Sequence, residues 1–178
     1  DNGAGKSVLF QVILGGMSPL EGDIIIGPST RIGYYAQEHQ TLSKWLERTP
    51  LEFIRDSAPK SEGEAVAVLL KFLFTYDQVR QPIGTLSGGE RSRLQLAALM
   101  LANPNLLLLD EPTNNLDIPS VEVLESVLED FEGAVLVISH DRYFLDQVVD
   151  RVMDLRDGDL HHYIGNYTDY LEAVGVMG

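Results

Sequence analysis

Residues 106–111, Leu106-Leu107-Leu108-Leu109-Asp110-Glu111, indicate the fold class of this chain. Four consecutive apolar residues are typical of a strand buried on both faces of a parallel sheet. Ligands of open α/β sheets bind at the carboxyl ends of the strands, where this segment places two acids. Asp110 is therefore a candidate Mg²⁺ ligand, directly or through water, and Glu111 a candidate general base for an attacking water. The alternative, a pair of helix-capping acids before a turn, explains one acid better than two.

Helical and strand-like segments alternate around this strand, which argues for an α/β fold with a mostly parallel sheet flanked by helices. The patterns predict strands at 23–26, 31–36, 134–139, 151–155 and up to 164, and helices at 8–14, 88–102, 119–131 and 141–149. Ser61 and Glu64 form a candidate capping box within a helical stretch. We expect a core of residues 1–40 and 103–178, with a helical subdomain at 41–102 inserted into it.

A glycine-rich segment begins the chain, and Asn2-Gly3-Ala4-Gly5-Lys6-Ser7 matches all but the start of G-x-x-x-x-G-K-[ST]. Glycines let backbone N–H groups approach phosphate oxygens, the ammonium of Lys6 neutralises β- and γ-phosphate charge, and the hydroxyl of Ser7 can coordinate Mg²⁺. Val8 supplies no hydroxyl, so its contact with an α-phosphate would use the backbone alone. A glycine-rich turn that only caps a helix is the alternative interpretation.

A second glycine pair occurs in Leu86-Ser87-Gly88-Gly89-Glu90. Ser87 and Glu90 predict a capping box, and a helix start bare of side chains is an anion site. A cap requires neither glycine, whereas phosphate binding benefits from both. With the glycine-rich loop and the Asp-Glu strand, this segment resembles the LSGGE signature of the ABC ATPase family. The resemblance implies a P-loop NTPase-type fold, ATP and Mg²⁺ as cofactors, and a signature that serves the ATP bound to an opposite cassette.

Other residues resemble family motifs in the same order along the chain. Gln37 resembles the Q-loop glutamine, which touches Mg²⁺ and the attacking water. Asn115-Leu116-Asp117 resembles the D-loop, which crosses the interface between cassettes. His140 resembles the switch histidine at the γ-phosphate, although a lone histidine at a strand end is more often structural. The resemblance implies phosphoryl transfer to water, in which Lys6 offsets phosphate charge, Glu111 orients the water and His140 steadies the transition state.

Three segments are similar to the ABC-F branch of the family, at residues 111–117, 139–144 and 165–171. That branch carries two cassettes on one chain and usually has His where Asn115 stands. The short stretch between Gln37 and Leu86 favours a second cassette, or one without a helical arm. The branch implies a role at the ribosome through regions outside this chain, and a cytoplasmic location. It also implies a strand and an adenine-stacking aromatic before Asp1, so we expect the 178-residue chain by itself to hydrolyse ATP slowly or not at all.

The composition narrows the possible partners. The net charge is −14, with 13 Lys and Arg scattered among 27 acids, so we expect no basic patch for nucleic acid. The chain has no cysteine and no apolar run long enough to cross a bilayer. We therefore expect no direct membrane insertion and a second cassette as the main partner. The ATP-binding subunit of a membrane transporter remains an alternative, as does a module in which ATP only joins two domains.

Overall fold

The computed structural model describes residues 6–35, 39–114, 116–156 and 159–175, and for residues 39–41 it describes the backbone alone. The chain folds into two compact units. One unit consists of residues 30–137, and the other consists of residues 1–29 together with 138–178.

Three strands form a sheet in the order β1-β2-β3: β1 (Ile32–Tyr35), β2 (Leu106–Asp110) and β3 (Ala134–Ile138). The larger unit contains β1, β2 and all of β3 except its last residue. β1 and β2 are parallel, with Ile32 opposite Leu106 and Tyr35 opposite Leu109. The three leucines in the middle of the run are at most 1% exposed. Burial on both faces is the reason why this strand is apolar throughout instead of alternating with polar residues.

The larger unit also contains four helices, α2 (Pro50–Ser57), α3 (Glu62–Lys71), α4 (Gly88–Leu101) and α5 (Ile118–Glu129), of which α4 packs on β1. Three 3₁₀ segments connect them, His39–Trp45, Gln78–Arg80 and Ile83–Thr85. Helix α4 packs on β1 at Gly33, where a Cβ atom would lie 2.9 Å from Leu99 Cδ1 and 3.0 Å from Leu107 Cδ2. Glycine at this position therefore lets α4, the signature helix that begins within the segment 86–90, approach the sheet closely.

The other unit contains α1 (Lys6–Ile13), α6 (Arg142–Val148), the strands β4 (Arg151–Arg156) and β5 (Asp159–Ile164), and α7 (Tyr167–Ala173). β4 and β5 form an antiparallel hairpin. Tyr170 of α7 packs edge-on against Tyr163 of β5, with ring centroids 5.0 Å apart. The hydroxyl of Thr168 donates to Asp146 at 2.6 Å, which ties α7 to α6.

Helix starts account for much of the agreement between the sequence patterns and the structure. The predicted capping boxes of Ser61 with Glu64 and of Ser87 with Glu90 are present at α3 and α4. Two further boxes, Thr49 with Glu52 at α2 and Asn166 with Asp169 at α7, were not predicted. Each box pairs a side-chain acceptor with a backbone N–H that the helix leaves unbonded.

The predicted strand at 23–26 is wrong, because the structure assigns no strand to these residues. Ile25 is 91% exposed there, and Ile24 and Ile26 are each more than 40% exposed. Branched apolar residues favour a strand only when a neighbouring strand pairs with them. Within the part of the chain that the structure describes, this segment belongs to neither sheet.

The fold class is confirmed as α/β, with a parallel strand pair and flanking helices. The division into a core of residues 1–40 and 103–178 and a helical subdomain at 41–102 remains a prediction. Among the described residues, none of the helices is long and apolar enough to span a bilayer.

Candidate functional site

The two acids predicted as functional lie at the carboxyl edge of the parallel strand pair. Asp110 is the last residue of β2 and lies one position beyond Leu109, which faces Tyr35 of β1. Glu111 follows Asp110 directly. Burial, and secondarily the negative charge of Asp110, raises the pKa of Tyr34. The charge of Asp110 thus acts on a side chain of the neighbouring strand β1. The edge can therefore present a carboxylate to a ligand, as parallel sheets commonly do.

The backbone of Glu111 is strained. Its φ angle is 48°, in the left-handed region that residues other than glycine seldom adopt. This conformation costs an ordinary residue about 1–2 kcal/mol. Such strain is concentrated at sites where the position of a side chain matters for function. Leu73 and Asn103 share this backbone conformation, so at Glu111 it marks a tight turn directly after β2.

The start of α4 is exposed and fully capped. The backbone N–H of Glu90 donates to Ser87 Oγ at 3.3 Å, and that of Ser87 donates to Glu90 Oε2 at 2.7 Å. The other carboxylate oxygen of Glu90 accepts from the Gln78 side chain. Leu86 is buried, whereas Ser87 and Gly88 are exposed. Ser87 and Gly88 are therefore the accessible part of this segment, and Glu90 stabilises it. Since helix starts attract anions, an anion would approach at these two residues.

The second signature glycine has a packing role that the sequence argument missed. A Cβ atom at Gly89 would lie 3.2 Å from Asp117 Oδ2 and 3.3 Å from Asp117 Oδ1. The D-loop carboxylate therefore packs directly on the buried backbone of Gly89. The close contact with Asp117 thus gives Gly89 a packing role in addition to the predicted phosphate contact, which remains a prediction.

Asp117 is also the N-cap of α5. Its carboxylate accepts from the backbone N–H of Ser120 at 3.0 Å, and it lies 3.4 Å from the Nη1 atom of Arg93. The Ser120 hydroxyl is in hydrogen-bond contact with the same oxygen. That hydroxyl is the main cause of a lowered pKa of Asp117, helped by the Ser120 N–H and the charge of Arg93. Asp117 is therefore held in its ionised form.

The smaller unit carries the remaining described candidates. Lys6, Ser7 and Val8 form the first turn of α1, which is anchored by Phe10 at 1% exposure. His140 is exposed and follows the end of β3 by two residues. Next to it, Asp141 caps α6 by accepting from the Phe144 backbone N–H at 3.1 Å. The turn that carries His140 is thus fixed by the start of the following helix.

The structure brings together only part of the predicted site. Asp110, Glu111, the signature segment 86–90, Leu116 and Asp117 lie in the larger unit, and Lys6, Ser7, Val8 and His140 lie in the other. The predicted phosphate contacts Asn2, Gly3, Ala4 and Gly5 lie outside the described residues, as do Gln37 and Asn115. The sequence analysis did not identify Arg93 or Ser120. The only available signal was an arginine between Ser92 and Leu94 on a helix that packs on the sheet.

The fold and the site residues define a class of protein, an α/β domain with acids at the carboxyl edge of its parallel strands. It also has a capped helix that begins with two glycines. The model of the ABC transporter family matches residues 1–114. This match covers more than half of the chain. The chain therefore belongs to the ABC transporter family.

Relatives and solved structures agree with this family. ABC transporter F family member 2 of Arabidopsis thaliana is 39% identical over 172 residues, which are 96% of this chain and 25% of that protein. The chain thus spans about a quarter of the length of such curated relatives. The structure of an ATP-binding subunit of an ABC transporter has a TM-score of 0.78 at 24% identity, covering 100% of this chain and 80% of that one.

A second solved structure is the ATP-binding cassette MJ0796, dimeric in a post-hydrolysis state with ADP and Pi. It has a TM-score of 0.67 and 22% identity, and the match covers 92% of this chain and 82% of that one. At these identities the two solved structures bear on the fold alone. They confirm the P-loop NTPase-type fold predicted from the sequence.

Proposed function

We propose that this chain binds ATP and hydrolyses it with Mg²⁺, as one of two cassettes that work as a head-to-tail pair. The observation that carries the proposal is the Asp110-Glu111 pair at the carboxyl edge of a buried parallel strand, in a chain that belongs to the ABC transporter family. The acids are the residue types that manage a metal ion and a water in phosphoryl transfer.

The residues of the predicted site each have a role in ATP hydrolysis. Residues 2–5, with Lys6, Ser7 and Val8, hold the phosphates, and Gln37 lies beside the attacking water. Glu111 polarises that water, and His140 contacts the γ-phosphate. Both act on charge that develops in the transition state.

The donor set fits Mg²⁺. No group of three His, Cys, Asp or Glu side chains that could hold a metal occurs among the residues that the structure describes. Magnesium is usually bound by one or two carboxylates together with water and phosphate oxygens, without a protein cage. Asp110, with Ser7 and Gln37, would hold the ion in this way. When bound, Mg²⁺ neutralises phosphate charge.

A complete site needs the signature of another cassette. Ser87 and Gly88 are exposed at the start of a 14-residue helix, where the partial positive charge favours a phosphate. The dimer of MJ0796 with ADP and Pi is a solved case of two cassettes together. The signature segment 86–90 and the D-loop, Asn115 to Asp117, would face the ATP of the partner cassette.

The ABC-F branch is the favoured assignment for the whole protein, because similar relatives carry F-family names. It implies a cytoplasmic protein that acts in translation, with ribosome contacts made outside this chain. The second candidate is the ATP-binding subunit of a membrane transporter, which one solved structure of the same fold represents. Co-sedimentation of the full-length protein with ribosomes separates the two assignments. Co-sedimentation that depends on ATP supports the first assignment, and its absence supports the second.

The proposed phosphate contact at α4 is tested with Gly88→Ala in the full-length protein. A Cβ atom at Gly88 meets nothing within 4 Å, so the fold does not require glycine there. Helix α3 supplies a control, because Ser61-Glu62-Gly63-Glu64 forms the same capping box and Gly63, the second residue of its helix where Gly88 is the first of α4, also has open space around it. We expect both alanine variants to be as stable as the wild type or more stable, by up to about 1 kcal/mol.

Only Gly88→Ala should lower the ATPase rate, because only that methyl group would stand where a phosphate approaches the helix start. The readouts are steady-state phosphate release and thermal unfolding. Equal ATPase rates for Gly88→Ala, Gly63→Ala and the wild type would contradict the proposed role of the signature. A lower rate with unchanged stability would support it and would also argue against a module in which ATP merely joins two domains.

A further inference from the structure

We propose that Arg93 is a positioning residue, whose guanidinium holds the D-loop carboxylate of Asp117 against the signature helix and offsets its charge. The inference rests on the proposed ATPase function. Arg93 lies on α4, four residues after Gly89, and is only 6% exposed. Its Nη1 atom donates to Ser120 Oγ at 2.6 Å and lies 3.4 Å from Asp117 Oδ1.

The neighbours of Arg93 explain how a charged side chain is buried here. Its guanidinium lies 5.8 Å from the ring centroid of Phe74, over the face of the aromatic ring. The carboxylate of Asp117 and the hydroxyl of Ser120 compensate for the lost hydration at Nη1, whereas the buried Nε has no hydrogen-bond partner among the described residues. Burying a cation costs free energy that a carboxylate and good hydrogen bonds can offset, and the planar guanidinium suits this shared geometry better than an ammonium group does.

The position of Asp117 gives this ion pair a functional consequence. Its carboxylate lies 3.2 Å from the place of a Cβ atom on Gly89, one residue from the exposed Gly88. A carboxylate that close to the helix start would repel an approaching phosphate if its charge were not offset. Arg93 supplies the opposite charge from the buried side, and thereby keeps the exposed side receptive to an anion.

The test uses Arg93→Met in the full-length protein, with Arg91→Met as the matched control. Arg91 lies on the same helix and donates from Nη2 to the Gly84 backbone oxygen at 2.8 Å. We expect Arg93→Met to lower kcat about tenfold or more, with KM for ATP changed by less than about threefold, because the residues that bind each cassette's own nucleotide are untouched. Arg91→Met should leave kcat within about twofold of the wild type.

A suppressor distinguishes charge compensation from a purely structural role. Adding Asp117→Asn to Arg93→Met removes the uncompensated charge, so kcat should recover by about threefold or more. Arg93→Lys should fall between the wild type and Arg93→Met, because it keeps the charge and loses the planar donors. If Arg93→Met does not fold, Ser120→Ala takes its place, and kcat should then fall by about threefold.

Two results would overturn the inference: equal losses of kcat in Arg93→Met and Arg91→Met, or a double variant no faster than Arg93→Met. A Glu111→Gln variant measured in parallel separates the two levels of the proposal. If Glu111→Gln hydrolyses ATP like the wild type, the proposed function itself fails. If Glu111→Gln is inactive and Arg93→Met hydrolyses like the wild type, the role of Arg93 alone fails.

Discussion

At the scale of single residues, three acidic residues of this chain differ in their hydrogen bonds and in their backbone conformation. Asp117 and Asp146 each accept hydrogen bonds from a hydroxyl and a backbone N–H, supplied by Ser120 and Thr168 respectively. These bonds lower the pKa of both groups. Glu111 is distinguished instead by a left-handed backbone. Two acids thus fix helix positions, and Glu111 occupies a left-handed turn directly after β2.

The charge of Asp117 should make stability depend on pH. Because its pKa is lower in the folded state, the ionised carboxylate stabilises the fold above the ordinary value of about 4, and this contribution is lost as the pH falls through the folded pKa. Asparagine at this position still caps the helix, so Asp117→Asn removes the charge and keeps the cap. The side chain is 54% exposed, so we expect a loss below about 1 kcal/mol near neutral pH.

Urea unfolding of the wild type and Asp117→Asn at pH 7 and at pH 3 measures this difference. The wild type should be the more stable at pH 7, and the difference between the two proteins should be smaller at pH 3. A stability difference that is the same at both pH values would show that the charge of Asp117 does not contribute to the fold.

At the scale of helices and strands, β2 is the element that holds the candidate acids in place. Leu107, Leu108 and Leu109 are buried between the helices and their neighbouring strands, and the acids follow directly. Helix α4 packs against β1, where Leu99 lies against Gly33. On its other side, Arg93 of α4 donates to Ser120 of α5. The signature helix is therefore fixed to the strand before Gln37 and to the D-loop.

Truncation of β2 tests how strongly this element depends on its core. Leu108→Ala empties a site that is fully buried, and we expect a loss of about 2–5 kcal/mol in the free energy of unfolding. Val135→Ala, on β3 of the same unit and 38% exposed, should lose less than about 1 kcal/mol. Urea unfolding followed by the fluorescence of the single tryptophan, Trp45, reports on the unit that contains β2. Similar losses for the two variants would contradict the buried position of β2.

Local signals predicted the elements that are stabilised locally. The box of Ser61 with Glu64 and the apolar run of β2 carry their structural cause within a few residues, so both were recognised from the sequence. The segment 23–26 was misjudged because a strand depends on a partner distant in sequence, which composition does not reveal. Helix α7 was missed although Asn166 and Asp169 form a capping box, because aromatic residues follow it in place of an apolar stripe.

The candidate site shows the same limit. Asp110, Glu111 and the signature segment were identified because motif spacing reports chemistry. The contact between Gly89 and Asp117, and the buried bond from Arg93 to Ser120, join residues that are more than 20 positions apart. Such contacts follow from how α4 packs against α5, and no spacing rule in the sequence describes them.

At the scale of the whole molecule, the predicted residues lie in two compact units, and the signature is proposed to serve a partner cassette. Under the proposed function, ATP hydrolysis is a property of the assembled pair, so the full-length protein is the right object for measurement. The net charge of −14 favours repulsion between chains, so pairing should depend on ATP and on salt. Under the same proposal, the chain supplies two complementary half-sites to that assembly.

The most direct test is single-turnover cleavage of ATP labelled at the γ-phosphate by the full-length protein carrying Glu111→Gln. Glu129→Gln, an exposed change of the same charge at the end of α5, is the control. Because a general base contributes about a hundredfold or more, Glu111→Gln should retain intact ATP while Glu129→Gln cleaves it like the wild type. Release of labelled phosphate by Glu111→Gln at the wild-type rate would contradict the assignment of Glu111.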